Sequence, residues 1–506
     1  MTTVHELAAW GTGLTAGGVP ARILSRARAQ RSSVLAAMAA SVDDDAARRV
    51  LAAVDRWAPE GPAPLAGTGR RVTVEDALYG AAALSVALDF DDYLCFAHTG
   101  HSAVLVPLLL AAETGAAEED QLMAQLAASE IEARLGGACL IGPQNGQLWS
   151  FVHAAGAAVA AGRLLGLDAD RIAHALAIAL YQPPRATVPG FMAPDSKLLT
   201  AAEPAVAGLR AARLATAGVT GPMDILDSNE GFFSAFSYAP LRGMLGGLDR
   251  AWATDTLCIK PYPGCAYVDT LVDALLELGP LPAAEVTSVV VEASALTCQM
   301  DSLSARYAGL DRPPTPVTVT FSVPWNVAIT LVAGELSPRH LRPAWLSAHH
   351  QELAGLAARV TLRHDWSLTR QAAVQFGRLL PPAALARDAG MWRLLHGLGS
   401  VRKDHPSLVT RPGDLRGIAA LARAERGRSV RSGGSFWDPA ATEGFAMTFP
   451  ARTTVKLRDG RELVAEASVP RGGAGHPSVT PERAAEDKLA AWGSGLEALV
   501  ARGGSR

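Results

Sequence analysis

At 506 residues, 49% of them hydrophobic, the chain is long enough for more than one core, because single cores seldom grow past about 250–300 residues. A formal net charge of −3 gives no reason to expect nucleic acid or an anionic membrane as partner, and the apolar run "AVLVPLLLAA" (103–112) stops at Glu113, short of the roughly 20 residues that span a bilayer. The start "MTTVHELAAWGTGL" lacks the basic region and apolar core of a secretory leader, and the five cysteines form no CxxC pair, so a cytoplasmic protein with reduced thiols is expected.

Up to about residue 255, Ala- and Leu-rich segments carry an i, i+3, i+4 apolar pattern cut by short Gly/Pro turns, which predicts helices. "TVED" (73–76) predicts a helix start, with Thr73 as N-cap and Asp76 three residues on, running toward Val86. "AAGAAVAAGRLLG" (154–166) has side chains so small that its helix can pack closely on several sides, as a buried helix of a large bundle must. "LDADRIAHALAIAL" (167–180) predicts a helix capped by Asp168 and stopped by Pro183–Pro184, and His153 and His174 are expected to serve packing.

After "CIKPYPGCAY" (258–267) the texture changes. "EVTSVVVEAS" (285–294) and "ARVTLRHD" (358–365) are β-branched and predict strands, and "PTPVTVTFSVPWNVAITLVAG" (314–334) predicts a proline-bounded strand running into a helix. "GFAMTFPARTTVKLRDGRELVAEASVP" (444–470) predicts a hairpin turning at Asp459–Gly460. Residues 402–437, rich in Arg, Gly and Ser, are expected to be mobile, and "SVTPERAAEDKLAAWGSGLEALVA" (478–501) returns to helix. The expected fold is mostly α with an α+β lid: residues 1–257 as a helical domain, 258–472 as the lid, and 473–506 returning to the helical domain.

Two features carry chemistry. Of 46 basic residues only five are lysine, at 197, 260, 403, 456 and 488. Arginine stays protonated at any working pH, whereas lysine offers a compact, tunable charge, so each lysine invites a question. Lys403, Lys456 and Lys488 are expected on solvated faces. The second feature is "LDFDDYLCFAHTGH" (88–101), which gathers Asp89, Asp91, Asp92, His98 and His101. It reads as a polar loop closing a helix, as a set of acid/base groups, or as a zinc or iron site built on His98-x-x-His101.

"LDFDDYLCFAHTGHSAVLVPLLLAAE" (88–113), "GAAVAAGRLLGLDADRIAHALAIA" (156–179), "DSKLLTAAEPAVAGLRAARLATAGVTGP" (195–222), "KPYPGCAYVDTLVDALLEL" (260–278), "PTPVTVTFSVPWNVAITLVAGELS" (314–337) and "TTVKLRDGRELVAEASVPRG" (453–472) resemble, in order, the signatures of the 2-methylcitrate dehydratase and cis-aconitate decarboxylase family, MmgE/PrpD. The resemblance implies a large helical domain with a smaller α+β lid, a homodimer, and no metal or organic cofactor. It carries the family's aspartate onto Asp89, its histidine onto His98 or His101, and its two lysines onto Lys197 and Lys260. Departures fall at Cys265 where the decarboxylases have histidine, Trp325 where they have tyrosine, Tyr93 for threonine, and "GQLWS" (146–150) for a His-containing turn.

The resemblance implies a small carboxylate or carbonyl substrate and a proton moved at the carbon beside that group. The two lysines then meet the developing charge, and a histidine oriented by Asp89 carries the proton. Cys265 or Tyr267 would act on the opposite face, with Tyr93, Gln147, Tyr267 and Trp325 as substrate contacts. Asp91 and Asp92 are expected to serve as loop and helix-terminus ligands. The expected activity is a dehydratase or decarboxylase. An isomerase or epimerase using the same proton chemistry, and a catalytically lapsed dimeric binding or scaffold protein, are the alternatives.

Overall fold

The computed structural model describes residues 1–404 and 436–495. Most of the 402–437 stretch expected to be mobile, and residues 496–501 of the last expected helix, lie outside the described residues. Helices dominate, with a small α+β part in the second half.

Local capping chemistry starts the helices where the sequence places them. Thr73 Oγ1 accepts from Asp76 N at 3.2 Å to open Val74–Val86. Asp168 does the same for Arg171 N at 2.9 Å, opening Ala169–Tyr181, and Thr480 for Arg483 N at 3.2 Å, opening Pro481–Trp492. Each such cap contributes about 1 kcal/mol.

The centre of the bundle is built from small side chains. Helix Ser150–Leu164 is buried from Ser150 through Gly162, with helices Glu118–Ala138 and Ala202–Thr216 packed on it. Gly208 makes the second contact possible: a Cβ there would lie 2.2 Å from the Ala154 carbonyl oxygen and 2.6 Å from Ala157 Cβ.

The β-rich part is a four-stranded sheet of β1 (Val286–Ala293), β2 (Val360–His364), β3 (Ala451–Leu457) and β4 (Glu462–Ala467), in the order β2-β1-β3-β4. β1 and β2 are parallel, and the other pairs are antiparallel. The β3–β4 hairpin turns through Gly460 at φ 87°, the left-handed value that favours glycine. Helix Ala266–Glu277 covers β3 and β4.

Two expectations are corrected. Residues 316–320 are a short helix, not a strand, and Val323–Ala333 follows as a second helix. Thr315 Oγ1 accepts from Thr318 N at 3.2 Å while Thr318 Oγ1 accepts from Thr315 N at 2.9 Å. This reciprocal box, with Pro316 at the first helical position, outweighs the β-branching of Val317, Thr318, Val319 and Thr320. Lys488 is not solvated: helix Pro481–Trp492 lies along helix Ala21–Ser41 with Ala484, Ala485 and Lys488 on its buried face. Lys403 and Lys456 are exposed. No described helix is long and apolar enough to cross a membrane.

Gly208→Ala gains about 0.5–1 kcal/mol of helix propensity, yet it forces a Cβ into the Ala154 backbone. Overpacking of this kind costs about 1–3 kcal/mol. The expected outcome is a lower urea midpoint at unchanged m-value, read by circular dichroism.

Candidate active site

The "DFDD" segment leaves the end of helix Val74–Val86 as a strained loop. Three of the four described non-glycine residues with positive φ lie in it: Asp89 (53°), Cys95 (43°) and Phe96 (74°). Strain of about 1–3 kcal/mol per such residue persists only where the surroundings over-determine it. They do so here. Asp92–Tyr93 pairs antiparallel with Cys258–Ile259, and the following "KPYPG" turn docks through Lys260 N to Asp91 O (3.2 Å) and Gly264 N to Asp89 O (3.2 Å).

Alternation along this extended segment sorts its side chains. Asp89 and Asp91 face Lys260, whereas Phe90 and Asp92 face the opposite way. Lys260 Nζ lies 2.9 Å from Asp89 Oδ1 and 2.5 Å from Asp91 Oδ1. Lys197, on the turn Asp195–Thr200, reaches Asp89 Oδ2 at 3.6 Å and the Val86 carbonyl, at the end of its helix, at 3.5 Å. The Lys197 ammonium rests against a packed pair of rings, Phe191 (5.4 Å) and Phe321 (5.3 Å), whose centres are 5.2 Å apart. Neither lysine is exposed at all.

Burial alone would raise the Asp89 carboxyl, but Lys197 and Lys260 outweigh it and hold the group below its ordinary value. For Asp91, burial is likewise overcome, by Lys260 and His98, and the carboxyl sits well below the usual range. Burial lowers Lys197, with Asp89 opposing. Lys260 moves upward despite burial, because Asp89 and Asp91 both favour its charge.

Asp91, not Asp89, orients the histidines. Its Oδ2 is 2.6 Å from His98 Nδ1 and 3.0 Å from His101 Nε2. The expectation that Asp91 is a mere loop ligand is therefore corrected, since its place two residues from Asp89 puts both carboxylates on one side. Asp92 does serve the loop: it accepts from Gln30 Nε2 at 2.7 Å, and burial pushes its carboxyl up to about 7. His101 uses its other nitrogen on Ser85 Oγ at 2.8 Å and is 1% exposed. His98 is 8% exposed, and its Nε2 has no hydrogen-bond partner among the described residues. The two rings share one carboxylate oxygen instead of converging on a common metal position. Ligand atoms of Asp89, Asp91 and His98 do lie within 4.8 Å of one another, but the Lys260 ammonium already sits between the two carboxylates.

Gln147 joins the cluster, donating from Nε2 to Asp89 Oδ1 at 2.9 Å, and its Oε1 is without a hydrogen-bond partner. Cys265 flanks it at the start of helix Ala266–Glu277. Burial and then Asp89 push the thiol up to about 12. Tyr93 lies beside His98, with ring centres 5.8 Å apart and planes tilted by 36°. Tyr267 donates to the Phe321 carbonyl at 2.6 Å, and burial raises its hydroxyl well above its ordinary value. Trp325 is separate: it is fully buried, with Nε1 donating to Ala308 O at 3.3 Å. A cavity of ≈ 240 Å³, lined in part by Ser150, Arg185, Thr187, Ser196 and Thr200, lies against Phe191.

Sequence reasoning passed over two buried acids near these groups. Glu132 accepts from Ser102 Oγ at 2.7 Å, and that hydroxyl also meets His153 Nδ1 at 2.7 Å. Asp269 lies on helix Ala266–Glu277. Burial raises both carboxyls well above their ordinary range. An acid within an apolar helical run was their one signal.

Residues 5–241 match the MmgE/PrpD N-terminal domain and residues 262–379 the MmgE/PrpD C-terminal domain. A cis-aconitate decarboxylase of Aspergillus terreus is 25% identical over 355 residues, covering 65% of this chain and 71% of that protein. A second, from Aspergillus terreus strain NIH 2624 / FGSC A1156, is 26% identical over 297 residues, covering 54% of this chain and 59% of that protein. With two domains matched in order, the chain belongs to the MmgE/PrpD family.

Proposed function

We propose that the protein is a cofactor-independent lyase, a dehydratase or decarboxylase of a small carboxylic acid, and that the Asp89–Asp91–His98–Lys197–Lys260 cluster does its chemistry. One observation carries the reading: two fully buried ammonium groups and a histidine with a free Nε2 share one pair of carboxylates. Family membership and the two decarboxylase relatives support the reaction class.

In this mechanism Asp91 accepts from His98 Nδ1–H, which fixes the tautomer and leaves the Nε2 lone pair as the base. For dehydration, Nε2 takes the proton from the carbon beside a carboxylate, and the C–H electrons pass into that carboxylate. They return as the C–OH bond breaks, and the departing hydroxide takes up the proton held on Nε2, so that water leaves and the imidazole is neutral again. For decarboxylation, the C–C bond to the lost carboxylate breaks instead. Its electrons pass into the neighbouring unsaturated acid, and Nε2, having first taken a proton from solvent, delivers it to carbon as the CO₂ leaves. Both routes build negative charge on oxygen. Lys197 and Lys260 meet it in a site already shielded from water, where fixed charge is most effective. General acid/base transfer of this kind contributes about 10²–10⁴-fold. His101, with both nitrogens engaged, holds Asp91 from behind. Cys265 and Tyr267 stay protonated and act only as acids.

Incubation in deuterated buffer with a panel of di- and tricarboxylates, cis-aconitate among them, tests the reading by NMR and mass spectrometry. The expected outcome is deuterium at the carbon beside a carboxylate, together with loss of water or CO₂. Exchange without net conversion would make the protein an epimerase or isomerase. No exchange and no conversion with any acid would leave a binding or scaffold protein.

Lys197→Arg should lower turnover by about 100-fold or more, because the larger planar guanidinium does not fit the fully buried space between Asp89 and the Phe191–Phe321 pair and misplaces the substrate. Lys403→Arg and Lys456→Arg, on exposed lysines, should leave the rate unchanged.

The thiolate is the form of cysteine that alkylates. With the Cys265 thiol pushed up to about 12, roughly one molecule in ten thousand carries it at pH 8. Peptide mass spectrometry should find Cys265 unmodified by iodoacetamide under conditions that alkylate the denatured chain completely. Rapid labelling in the folded protein would restore Cys265 as a candidate base.

A further inference from the structure

Lys488 stands behind the carboxylate loop, on the face opposite Lys260, and is 4% exposed. Its ammonium donates to the Phe90 carbonyl and, at 3.0 Å, to Ser33 Oγ, and it lies 3.8 Å from the centre of the Phe90 ring. The side chain comes from helix Pro481–Trp492, the last described α-helix, which follows the sheet in the chain and runs along helix Ala21–Ser41.

Three successive carbonyls of the loop are thereby held. Asp89 O accepts from Gly264 N at 3.2 Å and Lys260 Nζ at 3.1 Å, and Asp91 O accepts from Lys260 N at 3.2 Å. Both come from the "KPYPG" side. Only the middle carbonyl, Phe90 O, turns the other way, and Lys488 takes it. We propose that Lys488 is a positioning residue for the reaction, pinning the peptide between Asp89 and Asp91 from behind so that both carboxylates stay turned toward Lys197, Lys260 and His98.

The physical argument is one of orphaned groups. A buried carbonyl without a donor costs about 1–3 kcal/mol. Left without Lys488, the Phe90–Asp91 peptide would have reason to rotate toward another donor. Rotation there changes ψ of Phe90 and φ of Asp91, so it turns the Asp91 side chain directly and loosens Asp89 through Phe90. Asp89 already holds a φ of 53°, which needs such constraints to persist. A compact ammonium also suits the space between Ser33 and the Phe90 ring better than a guanidinium, which accounts for a lysine in an arginine-rich chain.

This role rests on the proposed function of the two aspartates, and the test separates the two ideas. Hydrogen–deuterium exchange is measured over residues 88–98 in wild type, Lys488→Met and the exposed control Lys456→Met. The expected result is exchange at least tenfold faster over 88–98 in Lys488→Met, with helix Ser150–Leu164 and the control unchanged. Turnover of cis-aconitate, or of whichever panel acid reacts, should show kcat lowered about 100-fold with KM within about threefold. Wild-type exchange over 88–98 in folded Lys488→Met overturns the proposal, as does faster exchange with wild-type kcat. If Lys488→Met does not fold, Ser33→Ala, which frees the ammonium from its second anchor, is read by the same criteria. If no acid reacts with the wild type, the lyase reading fails, while exchange still decides whether Lys488 pins the loop.

Discussion

Lys260 Nζ lies between the carboxylates of Asp89 and Asp91, with Lys197 against the other oxygen of Asp89, and the four side chains are buried together. Any one of these charges alone would cost several kcal/mol to bury. Two unit charges about 4 Å apart recover about 4 kcal/mol at the effective dielectric of a protein, so the group holds only as a set. The positive φ values of the loop, the two-residue ladder to Cys258–Ile259 and the docking of the "KPYPG" turn all follow from bringing the four together. In the proposed lyase, the same interaction that costs stability prepares the chemistry. Charges kept from water need little rearrangement when a substrate develops its own.

The closeness of this cluster also constrains access. His98, Gln147 and Cys265 keep some exposure, whereas both lysines are sealed, Lys197 behind the rings of Phe191 and Phe321. In the proposed reaction a substrate carboxylate replaces contacts that the protein makes with itself. Differential binding then works in favour of the reaction, because the ammonium groups gain most as charge moves onto the substrate oxygens.

What could be read from sequence was chiefly local. The Thr73 and Asp168 caps, the small-residue helix around Ala154–Gly162 and the Gly460 hairpin are set by neighbours within a few residues, and each lies where the pattern places it. Lysine scarcity pointed to Lys197 and Lys260, and the structure brings both onto the Asp89 carboxylate. Lys488 was misread because its burial depends on Ser33, 455 residues away, although its i+3, i+4 spacing from Ala485 and Ala484 was visible. The exchange of roles between Asp89 and Asp91 follows from period-two alternation in a segment too short and strained to be predicted as extended. Residues 316–320 show the opposite failure: β-branched side chains pointed to a strand, and a reciprocal Thr–Thr cap with proline decided for helix. Glu132 and Asp269 could not be placed, since an acid in an apolar helix reads the same whether it faces solvent or core.

The spacing of the loop's partners has a consequence for biosynthesis. Asp89 meets Lys260 across 171 positions and Phe90 meets Lys488 across 398, so the acidic loop leaves the ribosome long before its counter-charges do. Helices of the first half can form early from local contacts, yet the loop must wait with its like charges solvated. Contacts of such high sequence separation form slowly and late. Assembly of the charged cluster is thus tied to synthesis of the later segments that carry Lys260 and Lys488. A truncated or misfolded copy keeps an open, negatively charged loop where a finished molecule has a neutralised one.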